Sequence, residues 1–239
     1  MLVNDLVTNI IATVAAFILS LIWLRLNDFI AHKGWMSGPV SRKMIHIGTG
    51  PLFVLTWLLY RDTPSARFLA ALIPLATTIQ FALVGLGLWR DPSAVEAMSR
   101  SGKREEILRG PLYYGIVFVV LTLIFWKDSP AGIVAMMILC GGDGLADVVG
   151  RRYGAQRLPW SRRKTWAGSV AMFAGGWVFS LAMLAVFLAL GVFKGSLVEY
   201  LPAISLVALA GTLVESLTPN DFDNLTVPFI TALLGRFLF

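Results

Sequence analysis

The residues best suited to chemistry in this chain lie in one glycine-rich stretch near its middle. Asp143 and Asp147 are four residues apart, so a helix places both carboxylates on one face. Such a pair repels unless a cation lies nearby, and Mg²⁺ binds one or two carboxylates together with phosphate oxygens and water. An alternative interpretation pairs Asp147 with Arg151, four residues further on. Gly142 and Gly144 favour a metal and phosphate site, because glycines let a ligand approach the backbone.

A second group of polar residues opens the next apolar segment. The start of a helix exposes free N–H groups and the positive end of the helix dipole, which together suit phosphate. Lys164 adds a positive charge, Thr165 and Ser169 add hydroxyls, and Gly168 lies between them. Taken alone, this string favours the ordinary alternative of a lysine reaching the membrane surface, a capping threonine and small residues for helix packing.

Basic residues enter two other apolar segments. Arg42 and His46 share a helical face, and Lys43 lies between them in the sequence. These residues are candidates for binding phosphate, and His46 is also a candidate for proton transfer. The alternative for His46 is a simple hydrogen bond at the membrane interface. Arg109 stands at the entry of a further segment and is a candidate for holding an anion.

Two acidic residues near the end of the chain complete the candidates. Glu215 lies near the end of an apolar segment, and Asp223 follows shortly after it. Acidic residues at such positions are functional candidates by default. We therefore add Glu215 and Asp223 to Asp143 and Asp147 as possible metal ligands.

The composition indicates what holds these residues in place. The chain has 239 residues, of which 57% are hydrophobic and only 14% are charged, and its mean hydropathy is +0.75. A soluble domain carries about 25% charged residues. Repeated apolar stretches of about 17–25 residues match the length of transmembrane helices. The predicted fold class is therefore all-α, a polytopic integral membrane helical bundle.

The charge pattern excludes one class of partner and favours others. The net charge is +6, but the basic residues lie between apolar segments rather than on one soluble face, so nucleic-acid binding is not indicated. Membrane lipids and an anionic substrate such as a nucleotide fit this pattern better. Cys140 is the only cysteine in the sequence, so the chain has no internal disulfide.

We predict about eight spans within a single transmembrane domain, 1–239. Seven spans plus a re-entrant piece is the alternative, because the second span contains Gly48, Gly50 and Pro51 and the last is short. Loops 90–110 and 149–165 are predicted to be catalytic. The predicted spans are 6–26, 44–60, 68–89, 111–126, 131–148, 166–190, 199–217 and 225–239.

The basic residues also predict an orientation. Fifteen of the 20 lysines and arginines fall in three loops on one side, which the positive-inside rule assigns to the cytoplasm, with the N-terminus outside. The candidate residues share that side. These fifteen are Arg25, Lys33, Arg42, Lys43, Arg90, Arg100, Lys103, Arg104, Arg109, Arg151, Arg152, Arg157, Arg162, Arg163 and Lys164. The other side holds Arg61, Arg67, Lys127, Lys194 and Arg236.

Five strings, in order along the chain, resemble the polyprenol kinases, a family that includes phytol kinase, dolichol kinase and CTP-dependent diacylglycerol kinase. The strings are 42–50, 99–115, 142–154, 164–173 and 223–228. The 99–115 loop and the Asp-Asn-Leu-Thr-Val-Pro string at 223–228 are most similar to the phytol kinase branch.

The resemblance implies a membrane kinase that transfers the γ-phosphoryl group of CTP, or of another nucleoside triphosphate, to a long-chain lipid alcohol such as phytol or geranylgeraniol. Mg²⁺ is the expected cofactor, and the general base is either His46 or an aspartate. A plastid enzyme would need a transit peptide and none is visible, so we expect a bacterial or archaeal cytoplasmic membrane, with the site on the cytoplasmic face. The residues that the resemblance assigns to nucleotide binding are Asp143, Asp147, Arg151, Lys164, Thr165, Gly168 and Ser169.

Two other functions remain open at this point. A cytidylyltransferase that forms a CDP-lipid from a lipid phosphate needs the same kind of site for Mg²⁺, nucleotide and lipid, but it releases pyrophosphate. A transporter would use Asp143, Asp147 and Glu215 as an ion path, but charges near the midplane are then expected on both sides of the bundle. Their clustering on one side disfavours the transporter.

Overall fold

The computed structural model describes residues 2–35, 38–219 and 221–239. Of these residues, 79% are helical. Within the described residues it has no strand, and its one isolated antiparallel bridge joins Arg157 and Thr165. The predicted all-α class is therefore confirmed.

Ten α-helices follow one another in the described part of the chain. Short 3₁₀ turns lie at Trp57–Leu59 and Arg104–Leu108, and a π-helical turn lies at Ile138–Asp143. The helices are α1 Leu2–His32, α2 Gly38–Thr56, α3 Ala66–Leu86, α4 Pro92–Met98, α5 Gly110–Ile124, α6 Pro130–Met137, α7 Gly144–Tyr153, α8 Trp166–Ala189, α9 Leu197–Leu217 and α10 Asp223–Leu238.

Six helical stretches in the described residues are long and apolar enough to cross a membrane. Each coincides with one of the eight predicted spans. They are Val3–Asn27, Ala66–Leu86, Arg104–Ile124, Pro130–Tyr153, Trp166–Ala189 and Leu197–Leu217.

The other two predicted spans, 44–60 and 225–239, also contain helices, but these are not among the six. The first corresponds to α2, which has Pro51 inside it. The second corresponds to α10, whose 16 residues rise about 24 Å, less than the roughly 30 Å hydrocarbon core of a bilayer. The number of full crossings beyond six therefore stays a prediction.

The chain divides into two compact units. The first comprises Met1–Ile45 and Leu52–Leu123. The 3₁₀ turn at Arg104–Leu108 packs against α3, where a Cβ on Gly85 would lie 2.5 Å from Leu108 Cγ. Phe81, Val84 and Ile107 form a buried cluster at this contact.

The second unit comprises His46–Pro51 and Ile124–Phe239. Its centre is the continuous stretch formed by α6, the π turn and α7, which packs against α8, α9 and α10. Some 72% of this span is buried, against 17–39% in the other five spans. The residues 133–140 are fully buried. This central helix carries the glycine-rich aspartate stretch.

Candidate functional site

The central helix widens into its π turn at the residues that the sequence singles out. The turn ends at Asp143, whose side chain is 13% exposed. His46 Nε2 lies 3.3 Å from Asp143 Oδ2 and 3.2 Å from the Leu139 carbonyl oxygen. A carbonyl oxygen and a carboxylate both accept, so Nε2 carries the proton in this arrangement. π turns of this kind are frequent at functional sites.

Three carboxylates from different elements meet here. Asp143 comes from the π turn, Glu215 from the last turn of α9, and Asp223 from the first residue of α10. One ligand oxygen from each lies within 4.8 Å of the others. Oxygens around an octahedral Mg²⁺ are roughly 3–4 Å apart. Small side-chain adjustments can therefore bring these three oxygens onto one ion.

Lys164, in the loop before α8, contacts two of these three carboxylates. Its ammonium binds Glu215 Oε1 and lies 3.0 Å from Asp223 Oδ2. Burial by itself lowers the pKa of Lys164, but the charges of Asp223 and Glu215, the hydrogen bond to Glu215 and the charge of Asp143 outweigh it, so the pKa is raised. Three carboxylates face one lysine charge, which leaves a formal excess of two negative charges before His46 is counted. Unbalanced negative charge in a largely buried site raises the free energy of the folded protein unless a further cation neutralises it.

Asp147 lies outside this cluster. Its Oδ1 accepts from Arg151 Nε at 2.8 Å, which is the alternative pairing that the spacing allowed. Asp147 is one turn, about 6 Å, further along the helix axis than Asp143. The structure thus brings Asp143 together with Glu215 and Asp223 rather than with Asp147. The assignment of Asp147 as a metal ligand stays a prediction.

The start of α8 has two hydroxyls with different surroundings. Thr165 is the N-cap residue, and its Oγ1 accepts from the Gly168 N–H at 3.1 Å. Ser169 is 9% exposed, and within the described chain its hydroxyl has no hydrogen-bond partner. Of these two hydroxyls, Ser169 therefore has more capacity to bind an added ligand.

The glycines of the stretch contact neighbouring parts of the second unit. A Cβ on Gly142 would lie 2.9 Å from the Met172 carbonyl oxygen, and one on Gly144 would lie 2.2 Å from Ile47 Cγ1. A Cβ on Gly168 would lie 3.2 Å from the Ala146 carbonyl oxygen. These residues have no side chain because helices pack there, whereas their role in nucleotide binding stays a prediction.

The remaining basic candidates belong to the first unit. Arg42 Nη1 donates to the Ser99 carbonyl oxygen at 3.0 Å, and Lys43 is half-buried beside it in the sequence. Arg109 is exposed, between the 3₁₀ turn and α5. Their predicted contacts with phosphate stay predictions.

Sequence reasoning named every member of the carboxylate cluster but missed how Lys164 binds them. The lysine is 51 residues from Glu215 and 59 from Asp223 along the chain. One signal was available, since buried acids near the end of a span need a cationic partner. The sequence offers several basic loops and does not say which one supplies it.

Comparison with known proteins extends over nearly the whole chain. A probable phytol kinase, chloroplastic, of Triticum aestivum is 41% identical, over 100% of this chain and 79% of that protein. A probable phytol kinase, chloroplastic, of Zea mays is 39% identical over 99% of this chain and 77% of its own length. Phytol kinase 1, chloroplastic, of Arabidopsis thaliana is 33% identical over 99% and 78%. No family model matches the chain, and no solved structure matches it.

These relatives correct one prediction and confirm another. The expected bacterial or archaeal cytoplasmic membrane is wrong, because the matching proteins are chloroplastic proteins of plants. The helices of the chain do not distinguish the two locations, since the physics of a membrane helix is the same in both membranes. The resemblance carried by the five strings is confirmed along the full chain. This chain therefore belongs to the phytol kinase branch of the polyprenol kinase family, and it is a phosphotransferase with an alcohol acceptor.

Proposed function

We propose that this protein transfers the γ-phosphoryl group of a nucleoside triphosphate to phytol or a closely related isoprenoid alcohol such as geranylgeraniol. The observation that carries the proposal is the meeting of Asp143, Glu215, Asp223 and Lys164 in the second unit. The names of the relatives support phytol as the acceptor. CTP is the donor that the family resemblance favours.

Mg²⁺ is the cofactor that this donor set fits. The three ligand atoms are carboxylate oxygens, which are hard ligands of the kind that Mg²⁺ prefers, and the formal negative excess calls for a divalent cation. Asp143, Glu215 and Asp223 would hold the ion. When bound, Mg²⁺ supplies neutralisation of the phosphate charge that builds up during transfer.

Lys164 has two anionic partners in this mechanism. Its ammonium contacts Glu215 and Asp223, and it would bind the polyphosphate instead if another cation neutralised these carboxylates. Its position beside the N-cap of α8 places it next to the free N–H groups of that helix. Ser169, whose hydroxyl is not otherwise satisfied within the described chain, adds a donor one turn further along α8.

His46 acts as a positioning residue for Asp143. Its Nε2–H lies within hydrogen-bond distance of both Asp143 Oδ2 and the Leu139 carbonyl oxygen. Because Nε2 carries this hydrogen, it has no lone pair with which to accept the alcohol proton. Transfer through a loose transition state depends chiefly on positioning and charge neutralisation, so a strong base at the hydroxyl is not required.

The decisive experiment is a matrix of lipid alcohols against the four nucleoside triphosphates, using purified protein with and without Mg²⁺. We expect an alkyl monophosphate and a nucleoside diphosphate, with phytol among the best acceptors and CTP among the best donors. The matrix also includes phytyl monophosphate as an acceptor, and its conversion to a CDP-lipid with release of pyrophosphate would instead show a cytidylyltransferase and contradict the proposal.

The topology and location that accompany this function are also proposals. The apolar segments support about eight helical passes. The charge count supports an N-terminus on the side opposite the basic loops. The printed names of the relatives support a chloroplast membrane as the location. Cell fractionation followed by immunoblotting with an antibody to the chain tests the location.

A further inference from the structure

Asn224, the second residue of α10, has a buried side-chain oxygen without a donor. The residue is 9% exposed, and its backbone N–H donates to Asp223 Oδ1 at 3.0 Å. Within the described residues, Asn224 Oδ1 has no hydrogen-bond partner. A buried acceptor without a donor raises the free energy of the folded protein, so it indicates a position where a ligand can supply the donor.

Asn224 lies on the face of α10 that packs inside the second unit. The buried residues of this helix recur every three or four positions, which is the spacing of one helical face. They are Asp223, Asn224, Val227, Pro228, Thr231, Ala232 and Gly235. The helix packs against α6, the π turn and α9. The side chain of Asn224 therefore belongs to the inner face of α10 rather than to its exposed side.

Contacts along this face give the register of α10 against the central helix. A Cβ on Gly235 would lie 3.0 Å from Ala131 Cβ in α6. A Cβ on Gly211 of α9 would lie 2.9 Å from Ile138 Cγ2 in the π turn and 3.0 Å from Thr231 Cγ2 in α10. Residue numbers thus rise along the central helix while they fall along α10, so the two helices run antiparallel.

The same register brings Asn224 level with the end of the π turn. Along the central helix, Asp143 follows Ile138 by five residues, and along α10, Asn224 precedes Thr231 by seven. The ligand oxygens of Asp143 and Asp223 lie within 4.8 Å of each other, as this register requires. Asn224 is therefore beside the carboxylate cluster, one residue further along α10 than Asp223.

The chemistry of Asn224 Oδ1 restricts what can bind it, because an amide oxygen only accepts. The oxygens of an ionised polyphosphate also only accept, so the phosphates of a nucleotide cannot satisfy it. Mg²⁺ usually takes one or two carboxylates from a protein, and the cluster already offers three. The hydroxyl of an alcohol is a donor, and it is the reacting group of the acceptor substrate.

The position of Asn224 favours the lipid over the sugar hydroxyls of a nucleotide. Lys164 reaches the carboxylates from the loop before α8, where the basic residues of 151–164 lie. From Asp223, α10 runs alongside α6 toward the opposite end of the second unit. A ligand that approaches Asn224 from that direction passes between apolar helices, as a lipid alcohol does.

We propose that Asn224 Oδ1 accepts a hydrogen bond from the hydroxyl of the isoprenoid alcohol and orients its oxygen toward the γ-phosphorus. This role rests on the proposed function. An amide side chain orients the attacking water in some GTPases in the same manner. Correct orientation of the nucleophile accelerates transfer because the reacting atoms are held in line.

The transfer step assigns no proton to Asn224. The alcohol oxygen forms the new bond to the γ-phosphorus, and the bond from that phosphorus to the β–γ bridging oxygen breaks. The nucleoside diphosphate leaves with that electron pair. The alcohol proton is lost to water after transfer, since an amide oxygen is too weak a base to keep it.

The test compares two ligands that differ only in the donor. Phytanol, the saturated form of phytol, has a hydroxyl, whereas phytanyl fluoride has a fluorine of similar size that donates no hydrogen bond. Purified full-length protein in detergent is titrated with each, and native mass spectrometry gives the apparent Kd. We expect the wild type to bind the alcohol about twofold to tenfold more tightly, the range for one neutral hydrogen bond. Equal Kd values in the wild type would overturn the proposal.

Asn224→Leu replaces the amide by an apolar side chain of similar size, and we expect it to bind the two ligands equally. Thr231→Val is the matched control, because it removes a buried hydroxyl on the same face that already donates to the Val227 carbonyl oxygen. This control should keep the preference for the alcohol. A preference that persists in N224L, or that T231V also abolishes, overturns the proposal. Should N224L not fold, Asn224→Ala takes its place with the same expectations.

Two further measurements distinguish this role from metal or nucleotide binding. Without nucleotide, N224L should bind Mn²⁺ as tightly as the wild type does, as followed by electron paramagnetic resonance. Its Kd for the nucleoside triphosphate, from calorimetry, should also be unchanged. Weaker binding of either would make Asn224 part of the metal or nucleotide site and overturn the alcohol assignment.

The ligand titration involves no turnover, so it separates the role of Asn224 from the kinase activity. A protein that prefers phytanol through Asn224 but phosphorylates no alcohol would contradict the proposed function alone. An active kinase that binds phytanol and phytanyl fluoride equally would contradict the role of Asn224 alone.

Discussion

At the scale of single residues, the two aspartates of the glycine-rich stretch have different surroundings. Asp143 is half-buried, contacts His46 and has Glu215 and Asp223 close by, whereas Asp147, four residues later, pairs with Arg151. The two aspartates are alike in the sequence, but only Asp143 lies where a metal ion would bind three carboxylates. Their substitutions should therefore have different effects.

Asp143→Asn should reduce turnover by about 100-fold or more, comparable to the loss of one preorganised group that stabilises the transition state. Asp147→Asn is the matched control, because it changes the same chemical group one helical turn away, and we expect it to keep most of the activity. Initial rates of phosphoryl transfer measure both variants, and size-exclusion chromatography in detergent confirms that they fold. Equal losses in the two variants would contradict the assignment of the metal to the Asp143 cluster.

Lys164→Met should abolish most activity and raise the affinity for Mn²⁺ in the absence of nucleotide, because Glu215 and Asp223 lose their resident cation. Titration with Mn²⁺ followed by electron paramagnetic resonance measures this affinity. Lys194→Met, an exposed lysine at the far end of α8, is the control and should leave Mn²⁺ binding unchanged. Weaker Mn²⁺ binding in Lys164→Met would show that the lysine helps to form the metal site rather than competing for it.

The same lysine predicts a pH dependence of stability. The folded-state pKa of Lys164 is raised above its ordinary value of 10.5, so its contribution to stability is complete below that value and is lost only as the pH rises through the higher folded-state pKa. The difference in melting temperature between the wild type and Lys164→Met should therefore stay constant from about pH 7 to pH 9. A difference that shrinks within this range would contradict the raised pKa.

At the scale of helices, the close approach of α8 to the central helix positions Asp143. A Cβ on Gly175 would lie 2.5 Å from the Gly141 carbonyl oxygen, inside the π turn that ends at Asp143. A Cβ on Gly176 would have more room, because its nearest neighbour would be Ile138 Cγ1 at 3.1 Å. The position of the π turn thus depends on the absence of a side chain at one glycine of α8.

Gly175→Ala should destabilise the protein by about 1–3 kcal/mol, the usual cost of overpacking, and should lower turnover by displacing the π turn. Gly176→Ala is the matched control, and it should lower both the stability and the turnover by less. Thermal unfolding in detergent and initial rates give the two measurements. A larger loss of stability in the Gly176 variant would contradict the close contact between Gly175 and the π turn.

At the scale of the whole molecule, the apolar exterior and the basic loops decide how the chain sits in a membrane. Six described helices meet the length and hydropathy of a full crossing. The site residues Asp143, Glu215 and Asp223 lie near the ends of helices, so a lipid alcohol can present its hydroxyl there while its chain stays in the bilayer. The predicted orientation rests on the charge pattern alone.

Single-cysteine labelling tests this orientation. Cys140 is buried, so its replacement by alanine gives a background for new cysteines at Asn4, Ala155 and Lys194, all exposed positions. A membrane-impermeant maleimide should label the cysteines at 4 and 194 from one side of sealed vesicles and the cysteine at 155 from the other. Labelling of all three from the same side would contradict the topology.

The sequence by itself determined the all-α membrane class, six of the spans, the family and the identity of the candidate residues. These features follow from local hydropathy, from the length of apolar segments and from short strings, which are independent of how distant segments pack. Only the tertiary structure decided which carboxylates meet. The contacts of Lys164 with Glu215 and Asp223 join residues 51 and 59 positions apart. Helical periodicity relates residues three or four positions apart, so it paired Asp143 with Asp147, whereas the packing of α8, α9 and α10 around the central helix placed Asp143 beside Glu215 and Asp223 instead.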